Sequence, residues 1–252
     1  MQKGGRLVSS IPQSSKDNFS KCPEYLKVCP YCKAKLSPKK IQDPFGGGVR
    51  WIPDDTHACE KMIEAQNIYL YEERLADYTQ KLNACAIPKR FKSALLSNCP
   101  RDVQSHFEGD KLASAYLMGK SGAGKTYTAI AALKQALWNG HSASFIKAVD
   151  LPAIYSSARS YEAEQDTTSR ICARELIVLD DLGKQAHTQQ AALRIFSVID
   201  KIYNDDKALI VTTQYTDEQL IDMFESSSDE QTAQAILRRL RDMCKAFYIE
   251  RN

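Results

Sequence analysis

The most informative segment of this 252-residue chain reads Gly119-Lys120-Ser121-Gly122-Ala123-Gly124-Lys125-Thr126. It fits the pattern G-x-x-x-x-G-K-[ST], in which glycines let backbone N–H groups surround phosphate oxygens and the following helix adds a positive N-terminus. An apolar run ends directly before it at Met118, and a helical pattern follows it to near Gly140. This context predicts a phosphate-binding loop, with Lys125 on the β- and γ-phosphates and Thr126 on Mg²⁺.

Short apolar runs alternate with helical patterns around this loop. The runs lie at residues 113–118, 143–146, 175–179, 208–213 and 246–249. The helical patterns lie at residues 125–138, 150–161, 190–203, 216–224 and 232–243. Because strands that alternate with helices form parallel sheets, the sequence predicts an α/β fold with a five-stranded, mostly parallel sheet.

Two acidic residues follow one of the apolar runs. Leu176-Ile177-Val178-Leu179 leads directly into Asp180 and Asp181. Open α/β sheets bind ligands at the carboxyl ends of their strands, so both carboxylates are expected beside the phosphate loop. Because strand side chains alternate, we assign Asp180 to Mg²⁺ and Asp181 to the water that attacks the γ-phosphate.

The nucleotide is predicted to be ATP. Recognition of guanine usually needs an Asn-Lys-x-Asp signature, and the nearest stretch here, Asn204-Asp205-Asp206-Lys207, does not fit it. The sequence therefore indicates hydrolysis of Mg-ATP.

The residues before the ATPase core divide into three parts. Residues 1–20 have no periodic apolar pattern and are predicted to be a flexible tail. Residues 21–60 contain prolines and glycines too often for long helices, which indicates a small knuckle. Residues 61–86 suit an amphipathic linker helix, and residues 87–252 form the ATPase domain.

Four residues of the knuckle have the spacing of metal ligands. Cys29 and Cys32 form a C-x-x-C pair, and His57 and Cys59 follow after a glycine-rich stretch. A Cys₃His set predicts a structural Zn²⁺ site, because four protein ligands leave no position for a reacting water. Cys22 competes with His57 for the fourth position. The remaining cysteines are predicted to be packing residues: Cys85, Cys99, Cys172 and Cys244.

Composition excludes some classes of protein. Apolar residues make up 43% of the chain, enough for a core, but no apolar run approaches the roughly 18 residues that span a bilayer. The polar start of the sequence lacks the apolar region of a signal peptide. We therefore expect a cytoplasmic protein with no membrane contact and with reduced cysteines.

The sequence from Ile87 onward resembles the DnaC/DnaI/IstB-like branch of AAA+ ATPases. The stretches that carry this resemblance are Ile87-Pro88-Lys89-Arg90-Phe91, the phosphate loop, Leu179-Asp180-Asp181-Leu182-Gly183, Val211-Thr212-Thr213-Gln214 and Ile236-Leu237-Arg238-Arg239-Leu240-Arg241. The resemblance covers roughly two-thirds of the chain. The resemblance implies an AAA+ core without the C-terminal helical lid of many relatives.

The resemblance also implies roles for two further residues. Gln214 occupies the place of sensor 1, usually an Asn, which holds the attacking water. Arg239 occupies the place of an arginine finger that serves the ATP of a neighbouring subunit, so activity would need a homo-oligomer. Arg238 or Arg241 could take this role instead, and a basic helix face is the plainer interpretation.

The resemblance implies a helicase loader that binds a DnaB-like replicative helicase and single-stranded DNA. DnaI-like loaders carry a zinc-binding N-terminal domain, which the knuckle resembles. Alternatives are an IstB-type transposition regulator that polymerises on duplex DNA and a slowly hydrolysing, nucleotide-switched adaptor. Aromatic residues of the knuckle could also stack on nucleic acid. Candidate contacts to DNA phosphates are Lys147, Arg159, Arg170, Arg174 and Lys184.

Overall fold

The computed structural model describes residues 27–42, 49–53, 57, 59–184, 188–225 and 230–250. The chain divides into two compact units, Met1–Glu72 and Glu73–Asn252. The division falls inside one long helix, α1 (Glu60–Ala84), which begins where the sequence predicts a helix. The predicted flexible tail and Cys22 lie outside the described residues.

The first unit contains two small antiparallel hairpins and the start of α1. Their strands are β1 (Lys27–Val28), β2 (Lys35–Leu36), β3 (Pro38–Gln42) and β4 (Val49–Pro53). Strand β1 pairs with β2, and β3 pairs with β4. A tight turn closes the first hairpin, where the N–H of Lys33 donates to the Cys29 carbonyl and Lys33 adopts a φ of +63°. In the described part of this segment, short strands and turns precede α1, which agrees with its punctuated sequence.

The second unit alternates strands and helices. After the end of α1, its elements are α2 (Arg101–Phe107), β5 (Ala115–Met118), α3 (Lys125–Trp138), β6 (Ala143–Lys147), α4 (Leu151–Ile154), α5 (Tyr161–Ile171), β7 (Leu176–Leu182), α6 (Gln189–Asn204), β8 (Ala208–Thr213), α7 (Asp217–Glu225), α8 (Glu230–Met243) and β9 (Lys245–Tyr248). Short 3₁₀ helices occur at Lys89–Phe91, Leu96–Asn98 and Ala148–Asp150.

The five strands β5 to β9 form one sheet in the order β6-β7-β8-β5-β9. Every neighbouring pair is parallel, which confirms the predicted sheet. Along β7, Ile177 and Leu179 belong to one core cluster and Leu176 and Val178 to another. Because side chains alternate across a strand, these two clusters lie on opposite faces of the sheet. Helices therefore cover both faces, and the strand is apolar without alternation.

The predicted helix at residues 150–161 is wrong. Helix α4 stops at Ile154, and α5 begins only at Tyr161. The Ser160 side chain caps α5 by accepting the N–H of Ala163, which fixes a helix start seven residues after the end of α4. Apolar periodicity is weak in α5 because two of its buried residues are Thr167 and Thr168.

Among the described residues, none of the helices combines the length and the apolar character needed to cross a bilayer.

Candidate functional site

The glycine-rich loop joins β5 to α3 and lies against Ile249, the residue that follows β9. The Ile249 N–H donates to the Met118 carbonyl at 2.7 Å, which brings residues 118 and 249 side by side. Gly119 has a φ of +145°, and a Cβ atom there would lie 2.2 Å from the Ile249 carbonyl oxygen. The first position of the loop therefore accepts only glycine without a shift of the backbone.

Lys125 folds back over the loop. Its Nζ donates to the Gly119 carbonyl at 2.8 Å and to the Lys120 carbonyl at 2.9 Å. Burial lowers the pKa of Lys125, and the negative charge of Asp181 opposes that shift. The ammonium group is thus held at the loop, with an acidic residue close enough to influence it.

The structure brings Thr126 and Asp180 together, as the predicted magnesium site requires. The Thr126 hydroxyl donates to Oδ1 of Asp180 at 2.8 Å. Asp180 is 2% exposed, so burial raises its pKa, while hydrogen bonds from Thr212 and Thr126 act in the opposite direction. A hydroxyl and a carboxylate are oxygen ligands of the kind that Mg²⁺ prefers, so these residues fit the predicted ion.

Thr212 is a site residue to which the sequence analysis assigned no role. Its hydroxyl donates to Asp180 Oδ1 at 2.7 Å and accepts the N–H of Asp181 at 2.8 Å. Its position near the end of β8, the neighbour of β7, was a usable signal. Parallel strands that end at one edge of a sheet bring such residues together.

The backbone at Asp181 departs from the regular strand geometry on which side-chain alternation depends. The pairing of β7 with β8 shifts its register between Leu179 and Leu182, and Asp181 has a φ of +59°. Asp181 Oδ2 accepts a hydrogen bond from Lys184 Nζ at 3.1 Å. Whereas Asp180 is buried, Asp181 lines an open cavity.

This cavity has a volume of about 370 Å³, within the usual range for ligand pockets. Its lining residues are Arg90, Phe91, Ser121, Gly122, Gly124, Lys125, Thr126, Tyr127, Asp181 and Lys184. A larger depression of about 600 Å³ runs along α5, but it lacks this convergence of loop and charged groups. The nucleotide site is therefore assigned to the smaller cavity.

The cavity is also lined by three residues for which the sequence predicted no role: Arg90, Phe91 and Tyr127. The Arg90 guanidinium lies 4.5 Å from the centre of the Phe91 ring. The segment that carries Arg90 and Phe91 is fixed to α3, because Lys134 Nζ donates to the carbonyls of Lys92 and Ala94 at 2.8 and 2.7 Å. An aromatic residue next to an arginine was the available sequence signal.

Gln214 lies directly after β8 and is half-buried. The residues that line the nucleotide cavity do not include it. Its role as sensor 1 stays a prediction.

The three arginines of α8 have different surroundings. Arg239 pairs with Asp200 and stacks on Phe196, with its guanidinium carbon 4.8 Å from the ring centre. Arg241 donates twice to Asp217, at 2.9 and 2.6 Å. The Arg238 side chain is 83% exposed, and its ion pair with Asp242 is long at 3.8 Å. Among the three, Arg238 is therefore the most available to a neighbouring molecule.

The candidate DNA contacts are not gathered in one place. Lys147 lies opposite Asp180 in the sheet, and Lys184 lines the nucleotide cavity. Arg174 precedes β7 and lines a depression at the amino-terminal edge of the sheet. Arg159 is exposed, and Arg170 borders the depression along α5.

A second candidate site lies in the first unit. The ligand atoms of Cys29, Cys32, His57 and Cys59 all lie within 4.8 Å of one another. The sulfurs of Cys29 and Cys59 are 3.9 Å apart, and Cys32 Sγ is 3.2 Å from His57 Nε2. Hydrogen bonding from the Cys32 N–H lowers the pKa of the Cys29 thiol to about 6, which favours the thiolate.

These distances fit zinc. Two thiolates bound at about 2.3 Å in a tetrahedron are separated by about 3.8 Å, close to the observed sulfur separation of 3.9 Å. When bound, zinc supplies a four-way crosslink in a segment with little apolar core. The cluster therefore fits the structural metal site that the sequence predicts.

These features define an α/β P-loop ATPase with an AAA+ core, preceded by a Cys/His cluster. The chain belongs to a family described as IstB-like ATP binding protein, whose family model matches residues 105–252. Membership implies ATP binding and ATPase activity. A search of the curated proteins gives no significant match.

Solved structures share the fold. A crystal structure of the DnaC helicase loader is 21% identical, with a TM-score of 0.51 over 65% of this chain and 100% of that chain. A crystal structure of DnaI is 18% identical, with a TM-score of 0.55 over 65% of this chain and 95% of that chain. The predicted AAA+ class and the resemblance to the DnaC/DnaI/IstB-like branch are thus confirmed.

Proposed function

We propose that this protein is an ATP-dependent helicase loader that acts as a homo-oligomer. Its N-terminal unit binds a DnaB-like replicative helicase in the cytoplasm, and its assembled ATPase core binds single-stranded DNA. The observation that carries the proposal is the combination of two sites. The Cys/His cluster leads at Cys59 directly into α1, and α1 continues toward an ATPase core with the fold of DnaC and DnaI.

The ATPase step follows from the residues around the cavity. Lys125 would contact the β- and γ-phosphates, while Thr126 and Asp180 would hold Mg²⁺, which would supply positive charge at the phosphates. Asp181 orients the attacking water and accepts its proton, and Gln214 helps to hold that water. The ring of Phe91 offers an apolar surface to the adenine base.

The N-terminal cluster serves as a structural zinc site. Zinc held by Cys29, Cys32, His57 and Cys59 would keep the first hairpin in register with the start of α1. A docking surface built on so small a segment needs such a crosslink to keep one shape.

Full activity requires a second subunit. An arginine from a neighbour stabilises charge on the transferring phosphate and raises the rate by about 10³ to 10⁵. The resemblance assigns this role to Arg239, which would first have to leave Asp200. Arg238, the alternative, needs no such rearrangement because its side chain is already exposed.

Binding of single-stranded DNA uses exposed basic residues around α5. Arg159 and Arg170 are exposed, and Tyr161, the first residue of α5, is 73% exposed and can stack on a base. Binding through phosphates should weaken steeply with salt, and single strands should raise the ATPase rate more than duplex DNA does.

The test is capture of the replicative helicase of the source organism, as a purified protein, with ATP, with ADP and without nucleotide. Wild-type protein should capture it. The double variant Cys29→Ser/Cys32→Ser should lose capture but still bind ATP, and Cys99→Ser, a change at a buried cysteine outside the cluster, should behave as wild type. Failure of the wild type in every nucleotide state would contradict the loader proposal.

The alternative is an IstB-type regulator of transposition that polymerises on duplex DNA. The family match favours this alternative, because the family model that matches residues 105–252 is described as IstB-like ATP binding protein. ATP-dependent filaments on duplex DNA, seen by electron microscopy in a preparation that does not capture helicase, would support this alternative.

A further inference from the structure

Lys184 occupies an unexpected place for a DNA contact. It lies three residues after Asp181, in a turn where Asp181 and Gly183 both have positive φ. This turn reverses the chain, so the Lys184 Nζ reaches back to Asp181 Oδ2 at 3.1 Å. Lys184 thereby lines the same cavity as Lys125 and the glycine-rich loop.

The turn does not depend on the Lys184 side chain. The Lys184 N–H already donates to the Asp181 carbonyl at 3.2 Å, and the Asp181 N–H donates to the Thr212 hydroxyl at 2.8 Å. Both side chains of the ion pair are partly exposed, at 39% and 30%, and exposed ion pairs of this kind are weak. The Lys184–Asp181 ion pair can therefore open when an anion of higher charge than a carboxylate, such as a phosphate group, enters the cavity.

The charges of the cavity favour such an anion. Lys125 and Lys184 line one volume, which places two positively charged side chains around it. The ammonium of Lys125 donates to the Gly119 and Lys120 carbonyls and so lies close to the loop. The ammonium of Lys184 instead lies beside Asp181, the residue proposed to activate the water at the γ-phosphate.

We propose that Lys184 is a γ-phosphate-binding residue whose ion pair with Asp181 is the nucleotide-free arrangement. When ATP binds, the ammonium group exchanges the Asp181 carboxylate for the terminal phosphate, and Asp181 becomes free to accept a proton from water. ADP lacks the terminal phosphate and leaves the pair closed. This inference rests on the proposed ATPase site and adds a residue that distinguishes ATP from ADP.

The experiment compares dissociation constants for Mg-ATP and Mg-ADP by isothermal titration calorimetry. Lys184→Met should weaken ATP binding by about tenfold, as expected for loss of one charged hydrogen bond, and change ADP binding by less than about twofold. Lys184→Arg should restore most of the ATP affinity. Lys201→Met is the matched control, because Lys201 also pairs with a nearby aspartate, Asp205, and is 34% exposed on α6.

Each outcome is decisive. Equal weakening of ATP and ADP binding, or no change in either, would overturn the role of Lys184 while leaving the ATPase proposal in place. A wild-type protein that binds neither nucleotide would overturn both. Thermal melting of each variant separates loss of folding from loss of affinity, and Lys184→Gln, with the same expected loss of ATP affinity, replaces the Met variant if that variant melts early.

Discussion

The Thr212 hydroxyl donates a 2.7 Å hydrogen bond to Oδ1 of Asp180 and accepts the N–H of Asp181 at 2.8 Å. One buried hydroxyl thus orients both acidic residues of the candidate ATPase site. Residues that orient a metal ligand commonly alter metal affinity by about 10- to 100-fold. Thr212 is therefore expected to influence the site without contacting nucleotide.

We predict that Thr212→Val weakens Mg-dependent ATP binding by about tenfold, because Asp180 loses a partner that holds its carboxylate. The matched control is Thr213→Val, since the Thr213 hydroxyl donates to the Leu182 carbonyl at 2.8 Å instead of to an acidic residue. Both variants should lose about 1–2 kcal/mol of stability in urea denaturation. Equal ATP affinities in the two variants would remove the positioning role of Thr212.

We predict that Lys125 and Asp181 separate binding from hydrolysis. Lys125→Ala should abolish detectable ATP binding, because we propose that its buried ammonium group contacts the phosphates directly. Asp181→Asn should keep ATP binding and lose turnover, because an amide cannot accept the proton of the water. Nucleotide binding and phosphate release are the two measurements, and a wild-type rate in Asp181→Asn would exclude Asp181 as the base.

We predict that Gly183 is required for close packing after the acidic pair. A Cβ atom at Gly183 would lie 2.5 Å from Cδ2 of Tyr215, and its φ is +100°. Gly183→Ala should cost about 2–4 kcal/mol in chemical denaturation, which combines left-handed strain with overpacking.

Gly109 is the matched control, because its φ is +95° and nothing lies within 4 Å of the added Cβ. Gly109→Ala should cost about 1–2 kcal/mol, from backbone strain alone. Similar losses in the two variants would show that contact with Tyr215 contributes little.

We predict one zinc ion per chain. Elemental analysis of wild-type protein should give that stoichiometry, and Cys29→Ser should lose the metal and unfold the first hairpin. Cys99→Ser should retain it, since Cys99 lies outside the cluster. Cys22→Ser should also retain it, and loss of metal in that variant would transfer the fourth ligand position from His57 to Cys22.

We predict that substitution of Arg238 affects ATPase activity, whereas substitution of Arg239 affects stability. Arg238→Ala should keep its thermal stability and lose ATPase activity, and mixing with Lys125→Ala subunits should restore part of that activity. Arg239→Ala should lower the stability by about 1–3 kcal/mol, because it breaks the Asp200 pair and the stacking on Phe196. Recovery on mixing only with Arg239→Ala would assign the trans role to Arg239.

The sequence predicts elements well where local and tertiary signals agree. Helix α3 and strand β8 begin and end at the predicted residues, because a glycine-rich loop starts the first and both elements are strongly apolar. Helix α5 was missed because its buried face contains threonines. Thr168 can be buried because its hydroxyl has a hydrogen-bond partner, the Tyr155 hydroxyl at 2.7 Å. An apolar sequence pattern does not reveal such a partner.

The phosphate loop, the acidic pair and the four cluster residues could be located from motif spacing alone. Thr212 and Phe91 could not, because their importance depends on which segments the sheet brings together. The left-handed backbone of Asp181 was equally hidden, since it follows from a register shift between β7 and β8. The roles of Thr212 and Asp181 depend on which strands pair and in what register, and motif spacing does not specify either.

The position of β9 has a consequence for the order of events during synthesis. Ile249, whose carbonyl oxygen lies against Gly119, is translated 130 residues after it. Because chains emerge from the ribosome in order, α3 can form early, but the edge of β5 stays unpaired until β9 arrives. A nascent chain thus carries an exposed strand edge beside an unfinished nucleotide site. We therefore expect a chain that stops before β9 to bind ATP weakly, because Gly119 then lacks the backbone segment against which it lies.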